Sequence, residues 1–235
     1  MQDLVLRKVD FTEPTDWIYK SVPSRLCYLR DIVEGNVQDQ TFTPWQRLKA
    51  IQEYMPLVYS DMYRSPIGSA KAYEEKTGVQ KPGYSGHNFG CSIDTAVDAT
   101  IKRHGITYDK FVQTLIAFGW TPYQGVTKDG HYKRGKEDWH FNFVGDYGYR
   151  PWLPDSPAGG QQAIAWIKDN IKFSEDQQSI NAMLSRLGYT TLTQFKVNHL
   201  PAKLQSHSNN EEVVIRMLNI YTAKITDTDG NEVPG

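Results

Sequence analysis

The chain has 235 residues, with 26 Lys and Arg against 27 Asp and Glu and a net charge of −1. That balance excludes bulk nucleic-acid binding, which needs a basic footprint. A content of 39% hydrophobic and 23% charged residues excludes a disordered chain. At this length we expect one large domain, or one of about 150 residues with a small appendage. Aromatic residues make up 12%, including fourteen Tyr and six Trp, which suits a protein gripping an extended polar polymer and equally suits a tight core. Cys27 and Cys91 are too few for a disulfide framework and read as free buried thiols, with a single bridge as the alternative. No run of eighteen apolar residues occurs and no basic region precedes an apolar run at the start, so neither a transmembrane helix nor a secretory signal is expected.

In chain order, residues 1 to about 40 read as an extended arm or short helix packing on the main domain, with one short element within Val22–Leu29. Thr43-Pro44-Trp45-Gln46 opens a helix to Tyr54, with Thr43 as cap, Pro44 at the first position and Gln46 completing a capping box. Trp45, Leu48 and Ile51 share its apolar face. Leu57–Tyr63 reads as a strand, Ser69–Thr77 as a helix and Pro82–Gly86 as a loop. Cys91–Val97 reads as a short strand with Ile93 pointing away from Asp94. Tyr108–Phe118 is a helix closed by Gly119, and Trp120–Tyr123 and Trp139–Val144 are strands around a basic loop, Lys128–Lys136. That loop is either simply solvated or faces an acidic ligand.

Asp155–Gly160 is the best linker, and helical texture follows it. Ala163, Ile164, Trp166 and Ile167 mark one helix. Ser174–Gln177 opens another through a capping box, running to Gly188. Thr191–Val197 and Glu211–Thr222 are two more, and the tail from Asp227 to Gly235 should fray.

Two stretches carry the chemistry. Tyr84–Asp94 holds His87 and Asp94 around glycines, and Glu137-Asp138-Trp139-His140 follows about forty residues on. A catalytic zinc takes three protein ligands and leaves one position open. His87 and His140 offer imidazole nitrogens, and Asp94 offers a carboxylate oxygen. Glu137, three residues before His140, would face the other way on a regular strand, so acting as a base requires a bend at Glu137-Asp138. Asp138 competes for that role. Singly, each of these residues has an ordinary reading: a satisfied histidine, a capping aspartate, or a surface salt bridge for Arg64. His104, His131, His199 and His207 read as solvated, with His131 a lesser candidate for substrate contact, Trp139 as core or site wall, and Cys91 as inert packing.

Taken together, Ser85-x-His87-x-x-Gly90-x-x-x-Asp94, Glu137-x-Trp139-His140 and Tyr63-Arg64-Ser65 upstream resemble the zinc peptidases that cleave peptidoglycan. These include D-alanyl-D-alanine carboxypeptidases and dipeptidases and phage L-alanyl-D-glutamate endopeptidases. The resemblance covers about residues 43–148. It implies the α+β fold shared with the signalling domain of hedgehog proteins, a small antiparallel sheet flanked by helices. It further implies zinc on His87, Asp94 and His140, Glu137 as general base, Arg64 on the scissile carbonyl or substrate carboxylate, and Ser85 supporting site and substrate. The chain departs from the family's frequent Gln in the helix after the Arg motif, where Ser69 and Lys71 stand, and Cys91 replaces a small residue.

The expected organisation is a zinc peptidase domain over 1–154 and a C-terminal helical subdomain over 161–226. The latter weakly resembles peptidoglycan-binding helical bundles without their glycine-rich middle, and a plain accessory bundle fits as well. The implied partner is the peptidoglycan stem peptide, with no nucleic acid and no membrane insertion. The implied setting is a phage endolysin made in the host cytoplasm, reaching the wall through a holin or in a virion. The rivals are a cytoplasmic D-Ala-D-Ala dipeptidase and a non-catalytic phage tail or wall-binding protein. L-Ala–D-Glu, D-Ala–D-Ala and cross-bridge bonds all remain open as targets.

Overall fold

The structure is a computed structural model and describes residues 1, 4–9, 28–31, 43–75, 80–125, 127–135, 137–144, 171–205 and 211–233. The proposed linker, the helix around Ala163–Ile167, Cys27 and His207 lie outside these residues.

Capping chemistry places the first helix. In α1 (Pro44–Tyr54) the Thr43 hydroxyl accepts from the Gln46 amide at 3.2 Å and the Gln46 side chain accepts from the Thr43 amide at 3.0 Å. Leu48 and Ile51 are buried. Half-buried Trp45 donates from its indole to the Lys8 carbonyl at 2.9 Å and stacks under Arg7. The helix thereby holds the first strand.

A four-stranded antiparallel sheet follows, in the order β3 (Tyr59–Asp61), β4 (Ser92–Thr95), β6 (His140–Phe143), β5 (Trp120–Pro122). Helices α2 (Pro66–Glu75), α3 (Val97–His104) and α4 (Tyr108–Ala117) connect and flank these strands. The α+β expectation holds. Helix α2 begins at Pro66, three residues earlier than expected, because the Ser65 hydroxyl accepts from the Gly68 amide and starts it there. The strand expected to run to Val97 ends at Thr95, and helix α3 begins at Val97. The chain instead turns at Ala96, Val97 and Thr100 go into the core, and Thr100 Oγ1 accepts from the Val58 amide at 3.1 Å.

A second, three-stranded sheet joins the two ends of the chain, in the order β2 (Tyr28–Arg30), β1 (Leu4–Lys8), β7 (Ile225–Asp227), with β1 and β7 parallel. As far as Val233 the tail therefore does not fray, since Val233 is buried and its amide returns to the Ile225 carbonyl. Helices α5 (Gln177–Arg186), α6 (Leu192–His199), α7 (Ala202–Gln205) and α8 (Glu211–Thr222) complete the described residues. The cap of α5 is Asp176 rather than Ser174, whose amide instead donates to Asn219. One apolar cluster contains Phe89, Ile93, Phe111, Trp120 and Phe141 beside Ile180, Leu184, Phe195 and Leu218. The C-terminal helices thus close over the same core as the central sheet.

Candidate metal centre

The strand register brings the two stretches together. Asp94 on β4 stands directly across from His140 on β6, with Ser92 opposite Asn142 and Ile93 opposite Phe141. Directly opposed residues share a face. Ile93 and Phe141 go into the core, both fully buried, so Asp94, His140, Ser92 and Asn142 share the other face. The Ser92 hydroxyl donates to Asn142 Oδ1 at 2.6 Å, and Asn142 is near enough to His140 to favour its charged form.

His87 arrives on a 3₁₀ turn, Gly86–Phe89, whose entry is capped by the Ser85 hydroxyl accepting from the His87 amide at 3.4 Å. The turn ends at Gly90 in the left-handed region, φ +64°. A side chain on Gly90 would collide with the Arg30 amide and Leu6, so the arm formed by β1 and β2 presses directly on the exit of this turn. Gly86 is equally constrained by space, since a Cβ would lie 2.1 Å from Ser92 Oγ.

Within the site, His87 Nδ1 donates to the Met62 carbonyl. A carbonyl can only accept, so Nδ1 carries a proton, and Nε2 is the nitrogen turned toward Asp94 and His140. That Nε2 lies 3.2 Å from Asp94 Oδ1 and 3.2 Å from His140 Nδ1, and His140 Nδ1 lies 2.9 Å from Asp94 Oδ1. For ligands at 2.0–2.1 Å, a tetrahedral site has edges of about 3.3 Å, so the triangle fits such an ion. The Met62 carbonyl behind His87 and Asn142 behind His140 are the outer partners that ligating histidines usually have. The His87 side chain is 3% exposed, while Asp94 and His140 keep 14% and 13%, so solvent reaches the site from their side. Among the described residues, these three form the group that could hold a metal ion.

The charges are consistent with that geometry. Burial works against the Asp94 carboxylate, yet His87 and His140 hold it far below the usual carboxylate range. Burial also works against protonated His140, but the Asp94 hydrogen bond and charge, with Glu137 adding, raise its pKa above the ordinary value.

The bend required of Glu137 is present. Glu137–Trp139 forms a turn into β6, the His140 amide donates to the Glu137 carbonyl at 3.0 Å, and Glu137 sits at φ +64°. It is the positive-φ non-glycine among the described residues, a conformation costing on the order of 1 kcal/mol or more. Asp138 is otherwise engaged, since Arg134 pairs with it at 3.0 Å and with Asp98 at 2.9 Å while lying over the Tyr108 ring. Among the described residues, no hydrogen bond or ion pair holds the Glu137 carboxylate.

Arg64 is tied to the metal turn through its backbone. Its amide donates to the His87 carbonyl at 3.0 Å, and its carbonyl accepts from Asn88 Nδ2 at 3.0 Å. Its guanidinium pairs with the buried Asp61 at 2.5 Å, and Asp61 stands opposite Asp94 in the strand register. Asn88, absent from the sequence reading, also bonds Ser69 at 2.6 Å and the Gly83 amide at 3.0 Å. It carries no motif signal beyond its place beside His87.

Of the histidines expected in solvent, His131 is exposed, while His104 and His199 are half-buried, and all three have partners. His104 bonds the Pro56 carbonyl, and His131 pairs with Asp109. His199 bonds Tyr189 and stacks on Phe195. Trp139 is not core, being 44% exposed. Cys91 is free and buried, and burial pushes its thiol up to about 11. No helix among the described residues is long and apolar enough to cross a membrane. No protein-family model matches this chain, and no curated protein matches it either.

Proposed function

We propose that this chain is a zinc-dependent peptidase that hydrolyses peptide bonds in bacterial peptidoglycan, on the hedgehog-like peptidase fold its motifs imply, in the setting of a phage endolysin. The observation that carries the reading is the triangle of His87 Nε2, Asp94 Oδ1 and His140 Nδ1, with edges of 2.9–3.2 Å, approached by an uncommitted Glu137. Zinc, when bound, supplies a Lewis acid and lowers the pKa of water to about 7. Glu137 takes the proton from the attacking water and returns it to the amine as the C–N bond breaks. Its charge already acts on His140, which supports a position beside the ligands. The Arg64 guanidinium, oriented by Asp61, donates to the carbonyl oxygen as negative charge gathers there, or pairs with a substrate carboxylate. Ser85 holds the His87 turn in place, and its motif position supports a second contact to the stem peptide.

Zinc content of the purified chain and loss of turbidity of isolated cell walls test the reading together. One equivalent of zinc and wall clearance are expected, with muropeptide mass spectrometry naming the bond cut. Wall clearance by Glu137→Ala at the wild-type rate would overturn the assignment of the base. Zinc binding without clearance would favour a wall-binding protein that keeps the fold, and cleavage confined to free D-Ala-D-Ala would favour a dipeptidase.

A further inference from the structure

Helix α8 buries one charge. Arg216 is 5% exposed, between the core residues Val213 and Met217. Its guanidinium lies between two rings, 4.1 Å from the centroid of Tyr84 and 4.8 Å from that of Phe173. Nη2 pairs with Glu212 at 3.0 Å and Nη1 donates to the Gly83 carbonyl at 3.3 Å, while Nε finds no partner among the described residues. Burial first, and Glu212 beside it, push the Tyr84 hydroxyl up to about 12. A buried guanidinium is costly unless it is well paired, and a helix that only covers an apolar surface would carry Leu or Met here.

These contacts converge on Gly83 and Tyr84, the segment that feeds the metal turn. The Gly83 amide is held by Asn88 at 3.0 Å and its carbonyl by Arg216. Gly83 sits at φ +82°, and a Cβ there would press on Arg216 Cβ at 3.1 Å, so loop and helix backbones are in close approach. Ser85, the cap of the turn, and His87 follow directly.

We infer that Arg216 is a positioning residue for the metal turn, and that helix Glu211–Thr222 buttresses the site instead of belonging to an independent wall-binding unit. The inference rests on His87, Asp94 and His140 being a metal site. The full-length chain is compared with Arg216→Met, Glu212→Gln and, as a control, Met217→Ala, which empties a core position one residue along. Three quantities are read: zinc affinity by chelator competition, the visible spectrum of the cobalt-loaded protein, and amide exchange of residues 83–88 in the metal-free protein. Arg216→Met is expected to weaken zinc by about 10–100-fold, as loss of an outer partner does, to alter the cobalt spectrum and to speed exchange at His87 and Asn88. Glu212→Gln, at an exposed carboxylate, should fold and shift all three in the same direction by less. Met217→Ala should lower the melting temperature yet leave zinc affinity and the cobalt spectrum as in wild type. Wild-type affinity and exchange in both Arg216→Met and Glu212→Gln would overturn the inference, as would equal zinc loss in Met217→Ala. If wild type binds no metal, the metal-site reading fails, and exchange in the metal-free variants still decides whether Arg216 orders the turn.

Discussion

His87 shows how a backbone contact decides the chemistry of a side chain. Because Nδ1 is committed to the Met62 carbonyl, Nε2 is the nitrogen left to face Asp94 and His140. Replacing His87 with Ala should abolish stoichiometric zinc, weakening affinity by at least the 100-fold or so that loss of an outer partner can cost, as read by metal analysis after dialysis. Glu137, the proposed base, is held in a strained conformation at φ +64°. Glu137→Gln should keep one zinc and slow wall clearance by about 10²–10⁴-fold, the usual worth of a general base. Glu137→Gly should be equally slow yet more stable by about 1 kcal/mol, because glycine occupies the left-handed region without penalty. A raised melting temperature in an inactive variant would show that the strain is tolerated for activity.

At the scale of elements, the metal turn is packed tightly from three sides. Gly86→Ala would drive a Cβ to 2.1 Å from Ser92 Oγ and 2.8 Å from Asn142 Oδ1, and overpacking of this kind costs about 1–3 kcal/mol, measurable by denaturant unfolding. The loop before Glu137 is pinned differently, through Arg134 to Asp98 and through His131 to Asp109. The Asp109 hydrogen bond and charge raise the His131 pKa, and the same pair, against some burial, lowers that of Asp109. A raised histidine pKa contributes fully below its unfolded value of about 6.5 and is lost as pH rises through the folded one. A lowered aspartate pKa contributes above about 4 and is lost as pH falls. Amide exchange of residues 127–133 should therefore be slowest between these limits, relative to intrinsic rates, and Asp109→Asn should flatten the dependence.

For the whole molecule, the shared core and the β1–β7 pairing couple the two ends of the chain. Thermal unfolding followed by far-ultraviolet circular dichroism and by tryptophan fluorescence should give coincident transitions. Two separated transitions would instead make the C-terminal helices an independent unit. Removing residues 225–235 should lower the melting temperature, because β1 then loses its parallel partner and Val233 leaves the core.

Much of the site is legible in the sequence because its signals are local. The capping box at Thr43–Gln46, the cap-and-glycine boundaries of the helices, and the motif spacings from His87 to Asp94 and from Glu137 to His140 each depend on neighbours a few residues apart. The start of helix α3 was not legible, because Ala96 and Val97 suit a strand as well as a helix until Thr100 finds the Val58 amide. The tail was not legible either, since polar residues 227–232 look free until β1 offers an edge. Local sequence is enough for the types of the candidate ligands and for the short turns that carry them. Three features belong to the folded chain: the register that sets Asp94 against His140, the carbonyl of Met62 that turns His87 Nε2 toward them, and the distant Arg216 that grips Gly83. Each depends on groups 25 or more residues apart along the chain. Which of them meet is settled by which sheet register and packing bury the most apolar surface, a property of the folded whole that no local spacing encodes.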